Sequence, residues 1–154
     1  EIRLSLVGSE MCIRDRVYMM RETEIESLMD QARRVVPNAY VPYSHFPVGC
    51  ALLMKDGKVI QGVNVENVSF GATNCAERSA IFTAISQGYH KGDIQALAVA
   101  GDTEDFLSPC SICRQVMVEF CDKSMPIFLT RQDDKIYETS LEALLPLAFE
   151  SLDM

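Results

Sequence analysis

Three cysteines and one glutamate, set in two short stretches, have the types and spacing that metal chemistry requires. The stretches are CAER at residues 75–78 and PCSIC at residues 109–113. Cys110 and Cys113 are three residues apart, so they would share one face of a helix. Three thiolates can hold Zn²⁺ and leave the fourth tetrahedral position open to water, which is typical of a catalytic site. We therefore predict one Zn²⁺ per chain, bound by Cys75, Cys110 and Cys113.

Glu77 and Arg78 follow the first predicted ligand directly and could complete the site. A carboxylate beside an activated water can accept its proton and pass it to a substrate, which makes Glu77 the candidate catalytic residue. Arg78 can turn back to donate to a thiolate and offset the negative charge of three thiolates on one dication. The alternatives are an ordinary first-turn glutamate and a surface arginine. The position of Glu77 beside a ligand favours catalysis.

The remaining cysteines and the two histidines are not predicted to bind the metal. Cys50 and Cys121 lie in apolar segments and are expected in the core. His45 lies in a polar run before a strand, and His90 lies in a predicted surface loop. The six cysteines are unevenly spaced and no secretory signal precedes them, which favours a reducing compartment over a disulfide framework.

These residues need a scaffold that brings two helix N-termini together, because the free N–H groups there favour a thiolate. Apolar periodicity predicts helices at residues 23–37, 75–87, 111–121 and 141–145. It predicts strands at residues 46–54, 58–66, 94–100, 126–130 and 136–137, the first two joined by an Asp56-Gly57 turn. Strands alternating with helices predict an α/β fold in which helices cover both faces of a mixed sheet.

Length and charge limit the classes of function. A chain of 154 residues is enough for one packed domain. A net charge of -8 repels nucleic acid and anionic lipid, so we predict neither as a partner, whereas a small metabolite remains possible. The longest nearly apolar stretch, residues 48–54, is far shorter than a membrane span.

The first residues fit no element of this pattern. Residues 1–18 show no clear periodicity, and the opening EIRLSLVGSEMCIRDR resembles a translated sequencing-adapter artefact. We predict a non-native or disordered leader at residues 1–18, and a single domain at residues 19–154. A disordered native extension is the alternative.

Taken together, the motifs resemble those of the small homotetrameric cytidine deaminases. Besides the two zinc stretches, YSHFPVG at residues 43–49 resembles the strand of that family that leads into the pocket, and NVEN at residues 64–67 resembles its ribose-binding segment. The resemblance extends from about Met20 to the C-terminus. It implies a three-layer α/β/α fold with a mixed five-stranded sheet, and a cytoplasmic, zinc-dependent hydrolase of pyrimidine salvage that converts cytidine and deoxycytidine to uridine and deoxyuridine.

The resemblance also implies how the substrate is held. Asn64 and Glu66 would hydrogen-bond the sugar hydroxyl, and Phe46 would pack against the pyrimidine. Backbone N–H groups at Cys75 and Ala76 would meet the base oxygen. Without the motif, core packing for Phe46 and a solvated strand end for the two polar residues would be the simpler interpretation.

Further residues are assigned by the same resemblance to subunit contacts and to support of the metal site. Phe70, where the family has a tyrosine, and Phe149 would reach into a neighbouring subunit's pocket. Gln115 would join Arg78 behind the metal ligands. The loop PCSIC departs from the PCGAC-like sequence of the family without moving the ligands.

Alternative functions remain open from the sequence alone. A structural zinc module would explain the cysteines but predicts a closed metal site without turnover. A deaminase of a nucleotide, another base or a cytosine-containing antibiotic would use similar chemistry. A nucleotide enzyme should supply basic groups for phosphate, and no basic cluster lies beside residues 64–66. A polynucleotide editor would need a basic, aromatic-lined groove.

Overall fold

The computed structural model describes residues 19–152, and the predicted leader lies outside this range. Within it, five strands form a sheet and four α-helices accompany it. In chain order the elements are α1 Glu22–Val35, β1 Val48–Met54, β2 Val59–Val63, α2 Ala76–Ser86, β3 Ile94–Gly101, α3 Ser111–Phe120, β4 Pro126–Thr130, β5 Ile136–Ser140 and α4 Leu141–Leu144. Short 3₁₀ turns occupy Val36–Asn38 and Phe70–Ala72.

The sheet is mixed, as predicted, and has the order β2-β1-β3-β4-β5. The pair β3 and β4 is parallel, and the neighbouring pairs are antiparallel. Val48 at the start of β1 lies opposite Gly101 at the end of β3. The parallel pair requires a crossover, which α3 provides between β3 and β4.

One face of the sheet is covered by α1. Alternate residues of the strands point to this face, and most of them are alanines. Short side chains allow a helix to lie close to the strands, so the larger residues of α1 fill the layer between them. The buried residues of this layer are Leu28, Met29, Ala32, Ala51, Ala96, Ala98, Ala100 and Phe128.

The opposite face carries the larger side chains and is covered by α2 and α3. Cys50 and Leu52 on β1 and Leu97 on β3 pack in one buried cluster with Ile81 of α2 and Met117 of α3. The three-layer α/β/α arrangement predicted from the sequence is therefore confirmed. Cys50 and Cys121 are buried in this cluster as expected, and the five cysteines of the described part are free thiols.

Both helices of this layer begin at the end of the sheet where β1 starts. Cys75 is the N-cap of α2 and Cys110 is the N-cap of α3. At the far end, α2 terminates at Gly88, which has a φ of 96°, the left-handed conformation that commonly ends helices. There the Gly92 N–H also donates to the Phe120 carbonyl at the end of α3. The scaffold thus presents two helix N-termini at one end.

Several boundaries differ from the predictions. The first helix is capped at Arg21, not Thr23, and the Glu24 carboxylate accepts from the Arg21 N–H. Strand β1 begins at Val48 because the Asn64 amide binds the backbone on either side of Pro47. Strand β5 runs to Ser140, three residues beyond its predicted end. Along residues 19–152, none of the helices has the length and apolar character to cross a lipid bilayer.

Candidate metal centre and catalytic site

Three thiols converge where α2 and α3 begin. Cys75 and Cys110 occupy the two N-cap positions, and Cys113 lies in the first turn of α3. The Sγ atoms of Cys75 and Cys110 are 3.8 Å apart, and all three sulfurs lie within 4.8 Å of one another. Among the described residues, these three cysteines form the group with metal-binding geometry. The predicted ligands therefore lie together.

The spacing of the sulfurs fits Zn²⁺. Two thiolates bound to zinc at about 2.3 Å with a tetrahedral angle would lie about 3.8 Å apart. The observed separation of Cys75 and Cys110 has this value, and Cys113 is near enough to take a third position. Thiolate sulfur is a donor that zinc prefers, and three such ligands leave room for water or substrate.

Neighbouring groups stabilise the deprotonated form of Cys75. Its pKa is lowered to about 5 by hydrogen bonds, first from Cys113 and then from Arg78 and Cys110. The same contact with Cys75, together with burial, raises the pKa of Cys113. One thiolate is thus already favoured before the other ligands lose their protons to a metal.

Arg78 lies against the thiols as predicted. Its Nη2 donates to Cys75 Sγ over 3.4 Å. Its Nε atom is buried and has no hydrogen-bond partner within the described part of the chain. A guanidinium in this position can offset the charge of a thiolate cluster, so the predicted role of Arg78 is compatible with its location.

Glu77 is buried beside the ligands. Its side chain is 4% exposed and lies in the first turn of α2. Desolvation by burial is the main cause that raises the pKa of its carboxyl group, although contacts with Cys113 and Arg78 act against it. Glutamate is rarely buried without a function, so its location beside three metal-binding thiols marks it as the candidate proton carrier.

Asn64 holds the loop that carries Phe46. The Asn64 Oδ1 atom accepts from the Val48 N–H over 2.9 Å, and its Nδ2 atom donates to the Phe46 carbonyl over 2.8 Å. One N–H of this amide remains for a sugar hydroxyl. The Phe46 ring is 40% exposed and is therefore accessible to a ligand.

Glu66 is bound to the same loop. Its Oε2 accepts from the N–H groups of Tyr43, over 2.9 Å, and Ser44, over 3.2 Å. Its Oε1 accepts from the Ser44 hydroxyl. These bonds, led by that of the Ser44 side chain, lower the pKa of Glu66, so the group is an acceptor at neutral pH.

A backbone bridge joins this polar pair to the metal-binding helix. Val65, which lies between Asn64 and Glu66, exchanges two hydrogen bonds of 2.9 Å with Asn74. Asn74 directly precedes the ligand Cys75. Ala76 is buried at the first position of α2, where backbone N–H groups lack partners within the helix. The predicted sugar, base and metal residues are thus brought to one region.

Phe70 and Phe149 are two exposed aromatic residues among the predicted site residues. Phe70 is 77% exposed and makes an edge-to-face contact with Tyr43, whose ring centre is 6.2 Å away. Phe149 is 64% exposed, and its carbonyl accepts from Gln115 Nε2 over 2.9 Å. Gln115 therefore supports the C-terminal segment that carries Phe149, a task different from the predicted support of the ligands.

A cavity of about 370 Å³ opens between the loop and the polar pair. It is lined by Tyr43, Ser44, Glu66, Phe70 and Thr73. Of the predicted site residues, Glu66 and Phe70 line this cavity, so it lies at the predicted sugar-binding side of the site.

Two functional residues were not identified from the sequence. Ser44 connects Glu66 to the loop, although it lies inside the stretch that carries the family resemblance. Arg114 donates to the carbonyl of Pro109, which precedes a ligand, and to that of Leu144, and also to the Ser108 hydroxyl. A basic residue next to CxxC was the available signal, but the Leu144 carbonyl lies 30 residues away in sequence, beyond the reach of a local pattern.

Comparison with known proteins shows which family this chain is similar to. Residues 22–129 match the family model described as the cytidine and deoxycytidylate deaminase zinc-binding region. A cytidine deaminase of Sporosarcina psychrophila is 48% identical over 131 residues, which cover 85% of this chain and 95% of that protein. A cytidine deaminase of Halalkalibacterium halodurans is also 48% identical, over 129 residues, which cover 84% and 96%.

A solved structure gives the same result in three dimensions. The crystal structure of a cytidine deaminase from Burkholderia pseudomallei superposes with a TM-score of 0.80 at 44% sequence identity. The alignment covers 84% of this chain and all of that one. The likeness in fold therefore extends over most of this chain.

Proposed function

Since the chain belongs to the cytidine and deoxycytidylate deaminase family, we propose that it hydrolyses cytidine and deoxycytidine to uridine and deoxyuridine with release of ammonia. The observation that carries this proposal is the buried Glu77 beside three converging thiols. A structural zinc site would have no use for a buried carboxyl group at its open side. Zinc is the cofactor, held by Cys75, Cys110 and Cys113.

The metal and the carboxyl group have separate tasks. When bound, Zn²⁺ lowers the pKa of a water molecule and so supplies the nucleophile at neutral pH. Glu77 accepts the proton of the attacking water and delivers it to N3 of the cytosine ring. The water oxygen bonds to C4, and Glu77 then takes the remaining proton of that oxygen and gives it to the amine, whose bond to C4 breaks to release ammonia. Water and cytidine are consumed, and uridine and ammonia are formed, so Glu77 ends in the state in which it began.

The substrate is held by residues from three segments. Phe46 packs against the flat base, and the free N–H at the start of α2, near Ala76, donates to the base oxygen. Asn64 supplies a donor and Glu66 an acceptor for the sugar hydroxyl. The charge of Glu66 and the lack of a basic cluster beside it disfavour a phosphate at this position.

We include in this proposal a cytoplasmic homotetramer in which neighbours complete each pocket. The support is the exposure of Phe70 and Phe149, two large apolar side chains, of which Phe70 lines the cavity beside Glu66. Large exposed apolar groups of this kind commonly mark subunit contacts. A cytoplasmic location suits the cluster of free thiols, which a reducing compartment keeps available for zinc.

The test is to incubate the purified protein with cytidine, deoxycytidine, cytidine monophosphate, cytosine and adenosine, with metal analysis on the same sample. We expect about one zinc per chain and turnover of the two cytosine nucleosides only. Zinc without any turnover would favour the structural module. Faster turnover of the monophosphate would assign the enzyme to nucleotides.

A further inference from the structure

The sugar-binding pair and the loop of Phe46 are built as one unit. Residues 64 and 66 exchange backbone hydrogen bonds with Tyr40 and Val48. Their side chains bind the backbone of the same loop. The position of Glu66 is therefore determined by the conformation of residues 43–46.

The Ser44 hydroxyl has a defined direction in this unit. Its Oγ accepts from the Phe46 N–H over 3.1 Å, and its own hydrogen is donated to Glu66 Oε1. With one lone pair occupied by Phe46, the hydroxyl proton is directed at the carboxylate. Ser44 thereby adds a third donor to a carboxylate that already binds two backbone N–H groups.

The backbone between Ser44 and Phe46 needs such a tie. His45 has a φ of 54°, a left-handed conformation that residues other than glycine rarely adopt. Its N–H donates to the Val41 carbonyl over 3.1 Å, which closes the turn. Strained residues of this kind persist only where surrounding contacts fix them, and they cluster at binding sites.

The same hydroxyl also favours the ionised form of Glu66. The Ser44 side chain is the largest cause that lowers the pKa of Glu66, ahead of the two backbone donors. An ionised, oriented carboxylate is the stronger acceptor for a sugar hydroxyl. Ser44 itself also lines the 370 Å³ cavity beside Glu66.

We propose that Ser44 is a positioning residue, which acts through Glu66 to set sugar recognition. The inference rests on the proposed deaminase function and assigns to Ser44 a role that is distinct from chemistry at the base. Its loss should weaken the use of the sugar hydroxyl and leave the metal and Glu77 unchanged.

The test compares Ser44→Ala, Ser44→Thr and wild type on cytidine and on 2′,3′-dideoxycytidine. For Ser44→Ala we expect kcat/KM on cytidine to fall about tenfold or more, mainly through KM, because a charge-assisted hydrogen bond is lost. On the dideoxy substrate, which lacks the recognised hydroxyl groups, the fall should stay below about threefold. Ser44→Thr keeps a hydroxyl and should stay near wild type. Ser27→Ala, a serine on the exposed side of α1, is the matched control.

A double-mutant cycle with Glu66→Ala tests whether Ser44 acts through Glu66. If it does, adding Ser44→Ala to Glu66→Ala should lower kcat/KM on cytidine by less than about threefold. Losses that multiply in the double variant would overturn the proposal. Equal losses on both substrates, or loss of zinc or of folded structure in Ser44→Ala, would also overturn it by showing a general structural role. A wild type without nucleoside turnover would refute the deaminase function itself, which distinguishes the two failures.

Discussion

At the scale of single residues, the strongest feature is a carboxyl group placed where water cannot solvate it. Burial of Glu77 costs stability, because a charged carboxylate loses hydration and the protonated form is favoured instead. The nearby Arg78 guanidinium donates to Cys75, and its charge lowers the pKa of Glu77 less than burial raises it. A costly group of this kind is expected where proton transfer requires it.

Glu77→Gln separates metal binding from proton transfer. The amide keeps the size of the side chain but cannot accept and release a proton, so kcat should fall by about 100-fold to 10,000-fold. Zinc content should stay near one per chain, since the thiols are unchanged. The measurement is deamination followed by ultraviolet absorbance, with metal analysis. Glu119→Gln, on the exposed side of α3, is the control, and full activity in Glu77→Gln would exclude the assigned role.

The thiols should differ in reactivity according to burial and metal binding. In the zinc form we expect Cys75, Cys110 and Cys113 to resist iodoacetamide. After chelation, the exposed Cys110 and the half-buried Cys75, whose pKa is lowered, should react first. Cys121 should stay unmodified because burial raises its pKa to about 12, and the thiolate is the reactive form.

Peptide mass spectrometry after brief labelling measures each cysteine separately. Circular dichroism on the same sample establishes that the chelated protein is still folded, and labelling in denaturant provides the maximum for every thiol. Alkylation of Cys121 as fast as that of Cys110 in the folded protein would contradict the prediction.

At the scale of elements, the position of α2 depends on close contact with β2. A Cβ atom at Gly62 would lie 2.4 Å from the Ala80 N and 2.5 Å from the Ala76 O, both backbone atoms of α2. Backbone cannot move aside as a flexible side chain can, so glycine is required for this approach. The N-terminus of α2, which carries Cys75 and Glu77, is therefore positioned by direct helix-to-strand contact.

Gly62→Ala should consequently affect both stability and the metal site. We expect the free energy of unfolding to fall by about 1–3 kcal/mol from overpacking, and zinc affinity to fall about tenfold as the ligand Cys75 shifts. Urea unfolding and competition with a chelator measure the two effects. Gly71→Ala, where the added methyl group meets nothing within 4 Å, should change stability little. If Gly62→Ala unfolded at the same urea concentration as the wild type, the close contact between β2 and α2 would not determine the stability of the protein.

Much of the fold and the site could be predicted from local sequence patterns. Periodicity located the strands and helices, and the spacing of Cys110 and Cys113 located the metal site, because both depend on neighbours along the chain. The start of β1 and the roles of Ser44 and Arg114 could not be predicted in this way. Each of them depends on at least one hydrogen bond between residues 16 to 30 positions apart, such as Val48 to Asn64 and Arg114 to Leu144. Only tertiary structure brings those partners together.

The position of Arg21 at the helix start shows a different limit. Both Thr23-x-x-Glu26 and Arg21-x-x-Glu24 place a glutamate three residues after a possible cap. The preferred cap residue is threonine, yet the helix begins earlier, where the Glu24 carboxylate accepts from the Arg21 N–H. The sequence pattern does not distinguish the two starts, because each offers the glutamate that a capping box requires.

At the scale of the whole molecule, the proposed tetramer can be tested by exchange of subunits. In Glu77→Gln the proton carrier is lost, and in Phe149→Ala the aromatic group that a neighbour would supply is lost. A mixed tetramer can combine an intact Glu77 of one chain with Phe149 of another. We expect each variant alone to be impaired. In the coexpressed mixture, up to about a quarter of all pockets should combine an intact Glu77 with a neighbour's Phe149 and so be complete.

Activity per zinc measures the recovery, and light scattering measures the assembly against the chain mass of 17.2 kDa. Coexpression of Glu77→Gln with Glu119→Gln is the matched control, because every chain in that mixture keeps Phe149 and the Glu119→Gln chains keep Glu77. A mixture that is no more active than the average of its two components would refute shared pockets. A monomer with full activity would refute the tetramer as well.

The metal centre and the substrate residues lie where β1 begins, whereas the Asp56–Gly57 turn follows its other end. Strand β1 has seven residues, so the two ends are about 20 Å apart at a rise of about 3.3 Å per residue. Gly57 has a φ of 86° and open space around it. This turn is therefore a suitable tether: a linker inserted there would let the catalyst be immobilised on a solid support for continuous-flow conversion, with its reactive end facing the stream.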